Sequence, residues 1–528
     1  MTSTQVELGR AIEPGPFRNE PFTDFRQPEN ADKMRRALER VRTQLGREYD
    51  LIVGGRTYKT KEKITSINPS RPAEVVGVFQ KAGAGEVALV MDEALRAFER
   101  WKQAPVEQRA QLLLRLASTM RERKFELSAW MVVEVGKNWA EADADIGEAI
   151  DFCEFYAREA LRLAGSEPPI QYPGERDYLW YIPLGVGAVI PPWNFPLAIT
   201  TGMTAAAIVC GNTVVLKPSS DAPAIAAKLV ELLVECGMPD GVVNYCTGSG
   251  SAFGNALVAH PKTRFIAFTG SREVGLQINR MAAETQAGQI WIKRAILEMG
   301  GKDSILVDAD ADLDAAVEGV AVSAFGFQGE KCSACSRAII DERIYDKFIE
   351  RLKARVERIT VGPAEANPGM GPVINQAAAD KILSCISVGL QEGGRLITGG
   401  QRAPGDGYFI EPTVIADVDP GATIAQEEIF GPVLALMPCR DFEHGLAIAN
   451  NTIFGLTGSY YGTSEEKIAR AMREFHVGNF YINRKSTGAM VGAHPFGGFN
   501  MSGTDSKAGG PDYLYLFTQA KSIGRKLP

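Results

Sequence analysis

The spacing of hydrophobic and polar positions changes character near residue 184. Before it, apolar residues return every three or four positions among many charges, the spacing of amphipathic helices. This predicts helices over 31–48, about 84–102, about 106–135 and 143–163. After it, apolar residues come in short continuous runs: 186–190, 213–216, 242–245 and 265–268 read as buried strands. Residues 197–209 read as a helix between them. So does the stretch ending at Cys236, with Asp221 as its N-cap and Gly237 and Pro239 as its stop. Beyond Gly301 the alternation resumes, with strands at 304–307 and 338–340 and helices at 313–327 and 345–359. The tail, 513–523, is short and mixed, and reads as an edge or interface strand. Strands alternating with helices imply parallel βαβ units in an open twisted sheet, which binds ligands beyond the carboxyl ends of its strands.

At 528 residues the chain is long enough for two or three domains. Its hydrophobic content of 45% and charged content of 23% are those of a soluble globular protein. A net charge of -7 argues against nucleic acid as a partner. From Tyr178 to Leu216 no residue carries a formal charge. Pro191, Pro192 and Pro196 interrupt that run, and the helix between Pro196 and Gly211 is too short to span a bilayer, so no membrane partner is expected. Met1 to Pro16 has no apolar core behind basic residues and reads as no secretory signal. The eight cysteines are scattered, as in a reducing cytoplasm. Cys332 and Cys335 form the only Cys-x-x-Cys pair, and the histidines at 260, 444, 476 and 494 lie far from it in sequence. No metal site is expected; a redox pair is less favoured than one working and one incidental thiol.

Cys332 sits between Lys331 and Ser333 in a glycine-punctuated stretch after a helical pattern, and Glu298 lies 34 positions earlier, ahead of Gly300 and Gly301. A thiolate that attacks a carbonyl needs a base to activate the water that later releases the acyl group. Taken alone, Cys332 reads first as a small buried apolar residue, and only the rest of the chain favours a nucleophile. Two glycine-rich turns follow strands. The first, Gly248 to Gly254, is one residue too long for a dinucleotide fingerprint. The second, Gly270-Ser271, joins a strand to a helix start and is either an ordinary capped turn or a pyrophosphate site.

From about residue 50 onward the chain resembles the aldehyde dehydrogenase superfamily. The resemblance rests on the order and spacing of Pro192-Trp193-Asn194-Phe195-Pro196, Gly211-Asn212-Thr213 with Lys217-Pro218, Phe268 to Ser271, Glu298 to Lys302, the Cys332 loop, Glu427 to Val433, and Pro495 to Gly498. It implies an α/β aldehyde dehydrogenase fold. A Rossmann-like NAD-binding domain with an N-terminal helical extension would take 1–164 and 184–300, and an α/β catalytic domain 301–497. A small β flap for oligomerisation would take 165–183 and 498–528. Partnering as a homodimer, or a higher homo-oligomer built from dimers, follows. Cys332 would be the nucleophile, Glu298 the base for hydrolysis, and Asn194 with the Cys332 N–H the oxyanion donors. Pro192, Trp193, Lys217, Ser219, Ser220, Gly248, Gly270, Ser271, Glu428 and Phe430 would bind the cofactor.

Within the family, residues 16–22, 324–328, 475–485, 487–489 and 497–499 resemble the subgroup that oxidises L-glutamate γ-semialdehyde, the open form of 1-pyrroline-5-carboxylate, in proline and arginine catabolism. Substrate contacts would then be Glu148, Phe195, Ser333, Gly488, Ala489 and Phe496. The alternatives are a dehydrogenase of another semialdehyde, such as succinate semialdehyde, or a dinucleotide-binding protein without activity. Two positions depart from the family. Glu330 stands where glutamine is usual and is expected to raise the Cys332 pKa, with Lys331 as an offset. Ser220 stands where NAD-preferring members carry a glutamate, so NAD use with some NADP use is expected.

Overall fold

The computed structural model describes residues 14–165 and 169–528. Residues 1–13, within the stretch read as lacking a secretory signal, and 166–168, within the expected flap, lie outside them. Two seven-stranded sheets carry the architecture. The first runs, in spatial order, Arg294–Glu298, Thr263–Thr269, Val186–Ile190, Thr213–Leu216, Val243–Tyr245, Leu51–Val53 and Arg56–Tyr58. Its first five strands are parallel, and the last two are added antiparallel. Thr213–Leu216 is buried along its whole length, which explains an apolar run with no polar alternation: helices cover both faces. The chain steps from Val186–Ile190 outward to Val243–Tyr245, then returns to lay Thr263–Thr269 on the opposite side of Val186–Ile190. That reversal is a topological switch point, and it opens a crevice beyond the carboxyl ends of those two strands.

The second sheet runs Arg395–Thr398, Thr413–Ala416, Val433–Cys439, Cys335–Asp341, Asp303–Val307, Thr457–Tyr461 and Asn479–Ile482, parallel except for its first strand. Strand Cys335–Asp341 begins three residues after Cys332, so the thiol sits at the sheet's amino edge. Strand Thr518–Lys526 pairs antiparallel with Glu175–Pro183 at an edge, as expected of the tail, but the first part of the expected strand, Tyr513–Phe517, is a short 3-10 helix. The segment before helix Pro28–Arg42 lies along helix Trp139–Ala164. There the Asp151 carboxylate accepts from the Asn19 side chain and the Glu20 N–H, and Asp143 accepts from the Thr23 N–H and hydroxyl.

Four expected helices have other limits. The first ends at Arg42, and Gly46, at φ +74°, turns the chain into strand Arg47–Tyr49. The stretch 106–135 divides at Arg123 into Val106–Glu122 and Lys124–Val135. Asp221 is not a cap: the helix begins at Pro223, and its free N–H groups at Ala224 and Ile225 are taken by the distant carboxylate of Glu134, at 2.7 and 2.9 Å. The helix ahead of Cys332 stops at Phe325, two residues before the backbone turns left-handed at Phe327.

Candidate active site

The crevice at the switch point is a cleft of about 660 Å³. Strand ends supply its walls. Ile190 leads into Pro191, Pro192, Trp193 and Asn194; Leu216 leads into Lys217 and Ser219; Thr269 leads into Gly270 and Ser271. From the second sheet come Cys332, Glu428 and Phe430. The two sheets thus meet at one opening. Besides Cys332, nine expected cofactor or catalytic residues line it: Pro192, Trp193, Asn194, Lys217, Ser219, Gly270, Ser271, Glu428 and Phe430.

Ser271 caps helix Arg272–Ala283, its hydroxyl accepting from the Val274 N–H at 3.4 Å, so the positive end of that helix faces the cleft. Gly250 opens onto the cleft with nothing within 4 Å of where a Cβ would stand, which leaves room for a bulky anionic cofactor between it and Gly270. Burial lowers the Lys217 pKa to about 8. Glu428 accepts from the Gly301 N–H at 3.2 Å, and a Cβ at Gly300 would push its carboxylate aside, so glycine there lets Glu428 keep this position. Phe430 is held at φ +61°, edge-on to Trp193 with ring centroids 5.5 Å apart. These features fit a nicotinamide dinucleotide: a helix N-terminus for phosphates, a lysine and a carboxylate for hydroxyls, and aromatic rings beside a thiol.

The nucleophile loop is built from a turn of unusual backbone. Phe327, Gln328 and Gly329 are all left-handed, at φ +48°, +54° and +70°. Two non-glycine residues there cost about 2–4 kcal/mol together. Gln328 offsets this with three buried hydrogen bonds, to Gly136 O, Pro372 O and the Gly371 N–H, worth about 1 kcal/mol each. A Cβ at Gly329 would strike the Gly431 carbonyl. The turn delivers Cys332 to the cleft, part-buried. Burial, then the carboxylates of Asp303, Glu298, Glu428 and Glu148, push its thiol pKa up.

Asn194 is 4% exposed and donates from Nδ2 to the Glu330 carbonyl at 2.9 Å, which fixes the amide beside the loop. Glu298 ends strand Arg294–Glu298. It accepts from the Ser506 hydroxyl and, at 3.3 Å, from the Gly498 N–H, while burial raises its pKa to about 7. The expected effect of Glu330 on the thiol is corrected. Its carboxyl turns to the Ile374 N–H, at 3.0 Å, and Lys331 pairs with Glu141 at 2.7 Å instead of facing the thiol.

The expected substrate residues lie outside the residues lining this cleft. Phe195 stacks its face on the ammonium of Lys137, 3.8 Å from the ring centroid, and stands edge-on to Phe327. Glu148 is on the same helix as Glu141, and burial with the neighbouring Asp145 raises its pKa to about 8. Gly488 is left-handed at φ +77°. Among the described residues, the N–H groups of Gly488 and Ala489 and the Ser333 hydroxyl have no hydrogen-bond partner. Phe496 bridges to Ala508. Ser220 is exposed beside Ser219 and does not line the cleft. Neither does Gly248, which packs against the Ala82 carbonyl.

Sequence reasoning missed Gly250, Gly254 and Lys381 as lining residues, and the buried Lys137. The glycines lay inside the run read as a defective fingerprint. Lys381 belongs to helix Gln376–Gln391 and carries no motif; its ammonium reaches the Glu428 carbonyl at 3.1 Å.

A family model described as the aldehyde dehydrogenase family matches residues 57–523. A 1-pyrroline-5-carboxylate dehydrogenase of Geobacillus thermodenitrificans (strain NG80-2) is 55% identical over 509 residues, 96% of this chain and 99% of its own. The structure of 1-pyrroline-5-carboxylate dehydrogenase from Thermus with bound NAD matches at TM-score 0.96 and 52% identity, over 98% of this chain and 100% of that one. Proline utilization A from Bdellovibrio bacteriovorus matches at TM-score 0.95 and 44% identity, over 98% of this chain and 54% of that longer one.

Proposed function

The chain belongs to the aldehyde dehydrogenase family, and from that premise we propose that it oxidises L-glutamate γ-semialdehyde to L-glutamate with NAD, in proline degradation. Aldehyde, water and NAD⁺ become carboxylate, NADH and two protons. One observation carries the reading: Cys332 and Asn194 open onto the same cleft as the helix N-terminus at Ser271, with Glu298 ending the neighbouring strand.

In the proposed mechanism the Cys332 thiol gives up its proton to solvent and its sulfur adds to the aldehyde carbon, and the resulting oxyanion takes hydrogen bonds from the Asn194 amide and the Cys332 N–H. Each such donor is worth about a hundred- to a thousandfold in rate. Bound NAD supplies the acceptor for the hydride that leaves this carbon. Lys217, Ser219, Gly270, Ser271 and Glu428 would hold the cofactor, with Pro192, Trp193 and Phe430 at its nicotinamide end. Glu298 then takes a proton from the water that attacks the thioester carbon, the C–S bond breaks, and the sulfur returns to Cys332 as the carboxylate leaves. A pKa of about 7 suits a base that must be ionised near neutral pH and still accept a proton.

For the far end of the substrate, we assign its α-carboxylate to the unpartnered N–H groups of Gly488 and Ala489 and the Ser333 hydroxyl, with Phe195 and Phe496 along the aliphatic stem and Glu148 at the pocket wall. A panel of aldehydes, followed by absorbance of reduced nicotinamide, tests the assignment. Glutamate semialdehyde should be oxidised with the highest kcat/KM. Ala489→Leu should raise its KM about tenfold or more, the scale of losing one charge-assisted hydrogen bond, while a short unsubstituted aldehyde is little affected. Equal loss on both substrates would show a purely structural loop.

Ser220 has no carboxylate to repel a 2′-phosphate, and we propose that NAD is preferred with measurable NADP turnover. Ser220→Glu should remove the NADP activity and leave that with NAD; a wild type with no NADP turnover would contradict it. We also propose pairing of two copies through 169–183 and 498–528, where Tyr172 is 69% and Trp180 52% exposed, readable by sedimentation. A cytoplasmic location is proposed with it, supported by eight cysteines that all stand free.

A further inference from the structure

Glu330 departs from the family's usual residue two positions before the nucleophile, and it has an unusual environment. Its side chain is fully buried. One carboxyl oxygen, Oε1, accepts from the Ile374 N–H at 3.0 Å; the other, Oε2, has no partner among the described residues. No lysine or arginine forms an ion pair with it among the described residues. An ionised carboxylate left so would be a dry, half-solvated charge, which proteins avoid by keeping the proton. Two charged groups act on it from the elements packed around it. Asp221, ahead of helix Pro223–Glu235, opposes ionisation, and Lys137, ahead of helix Trp139–Ala164, favours it. Burial outweighs both and raises its pKa well above the ordinary value.

The backbone of the same residue matters for chemistry. The Glu330 carbonyl is what the Asn194 amide donates to, and Cys332 follows two residues later. Gln328 and Glu330 together staple this loop to residues 371–374.

We propose that Glu330 is a positioning residue of the nucleophile loop that works only as the uncharged acid, so that its ionisation in alkaline solution loosens the loop and displaces Asn194. The proton goes to solvent, and the charge left behind draws water or movement to Oε2. The sign for stability follows. A carboxyl whose folded-state pKa is raised contributes full stability below its unfolded value near 4.5 and loses it progressively as pH climbs toward the folded value. An amide at this position has no such dependence.

This inference rests on the reading of Cys332 and Asn194 as catalytic groups, but one of its tests does not. Wild type, Glu330→Gln and Glu330→Ala would be assayed with NAD and one aldehyde from neutral to alkaline pH. Any effect of pH on the substrate itself cancels in ratios between proteins. The ratio of kcat at alkaline pH to kcat at neutral pH should be about fivefold or more higher in Glu330→Gln than in wild type. Superimposed profiles would overturn the proposal. Glu330→Ala, which leaves the Ile374 N–H unbonded, should lose activity at every pH that Glu330→Gln retains. Equal rates for the two variants would show that the side chain positions nothing. Separately, the Tm advantage of Glu330→Gln over wild type should widen as pH rises above the carboxylate range. A constant gap would overturn the buried-acid assignment, and this readout stands even if Cys332 proves not to be the nucleophile.

Discussion

Cys332→Ala is expected to lose turnover by about ten-thousandfold or more while still binding NAD. Among the described residues Cys332 is the only cysteine lining the cleft, and removing a covalent nucleophile forfeits the step it carries. Binding should persist because the thiol is one of many cleft-lining residues; helix Arg272–Ala283, Lys217 and Glu428 remain. Cys335→Ala should change turnover little. Cys335 is 1% exposed, and its Sγ is directed to the Arg337 carbonyl at 3.3 Å, away from a redox partnership with Cys332. Steady-state rates and a fluorescence titration with NAD check both statements. Substantial turnover by Cys332→Ala would remove the nucleophile assignment.

The second large effect is expected at Glu298→Gln, which should split the reaction in time. Glu298 is held by Ser506 and Gly498 at the end of its strand, and the proposal gives it the water-activating step alone. The first turnover should therefore release a stoichiometric burst of reduced cofactor, followed by a steady state about a hundred- to ten-thousandfold slower. In wild type the deacylation rate should rise with pH through about 7, because burial raises this carboxyl to that value and only its ionised form is a base. Glu298→Gln should lose that rise. Rapid mixing over a pH series reads both, and a missing burst would move Glu298 to an earlier step, such as thiol activation.

Much of this was legible along the chain, and the reason differs by element. The strands at 186–190 and 213–216 are found where expected because both are buried runs bounded by glycine, proline or asparagine. Gly270-Ser271 was readable because a capped helix start is local chemistry. What could not be read was set by distant partners. The helix at Pro223 is capped by Glu134, nearly ninety residues away in sequence, so Asp221 looked like the cap and was not. Lys381 lines the cleft through tertiary placement of a helix with no motif of its own. The orientation of Glu330, toward Ile374 and away from the thiol, depends on a segment more than forty residues downstream, and no local rule supplies it.

The left-handed turn at Phe327 to Gly329 has a consequence for how the chain matures. Its shape is held by Gly136, Gly371 and Pro372, and Gly431 approaches it so closely that residue 329 can carry no side chain. During synthesis from the amino terminus, the segment bearing Cys332 emerges well before the last of these. Until the chain has been made past Pro372 and folded there, two of the three Gln328 hydrogen bonds that hold the costly backbone are missing. A nascent chain therefore carries an unarmed cysteine: its loop takes its working shape only when the segment at 371–372 docks on Gln328, not with translation of the residue that performs the chemistry.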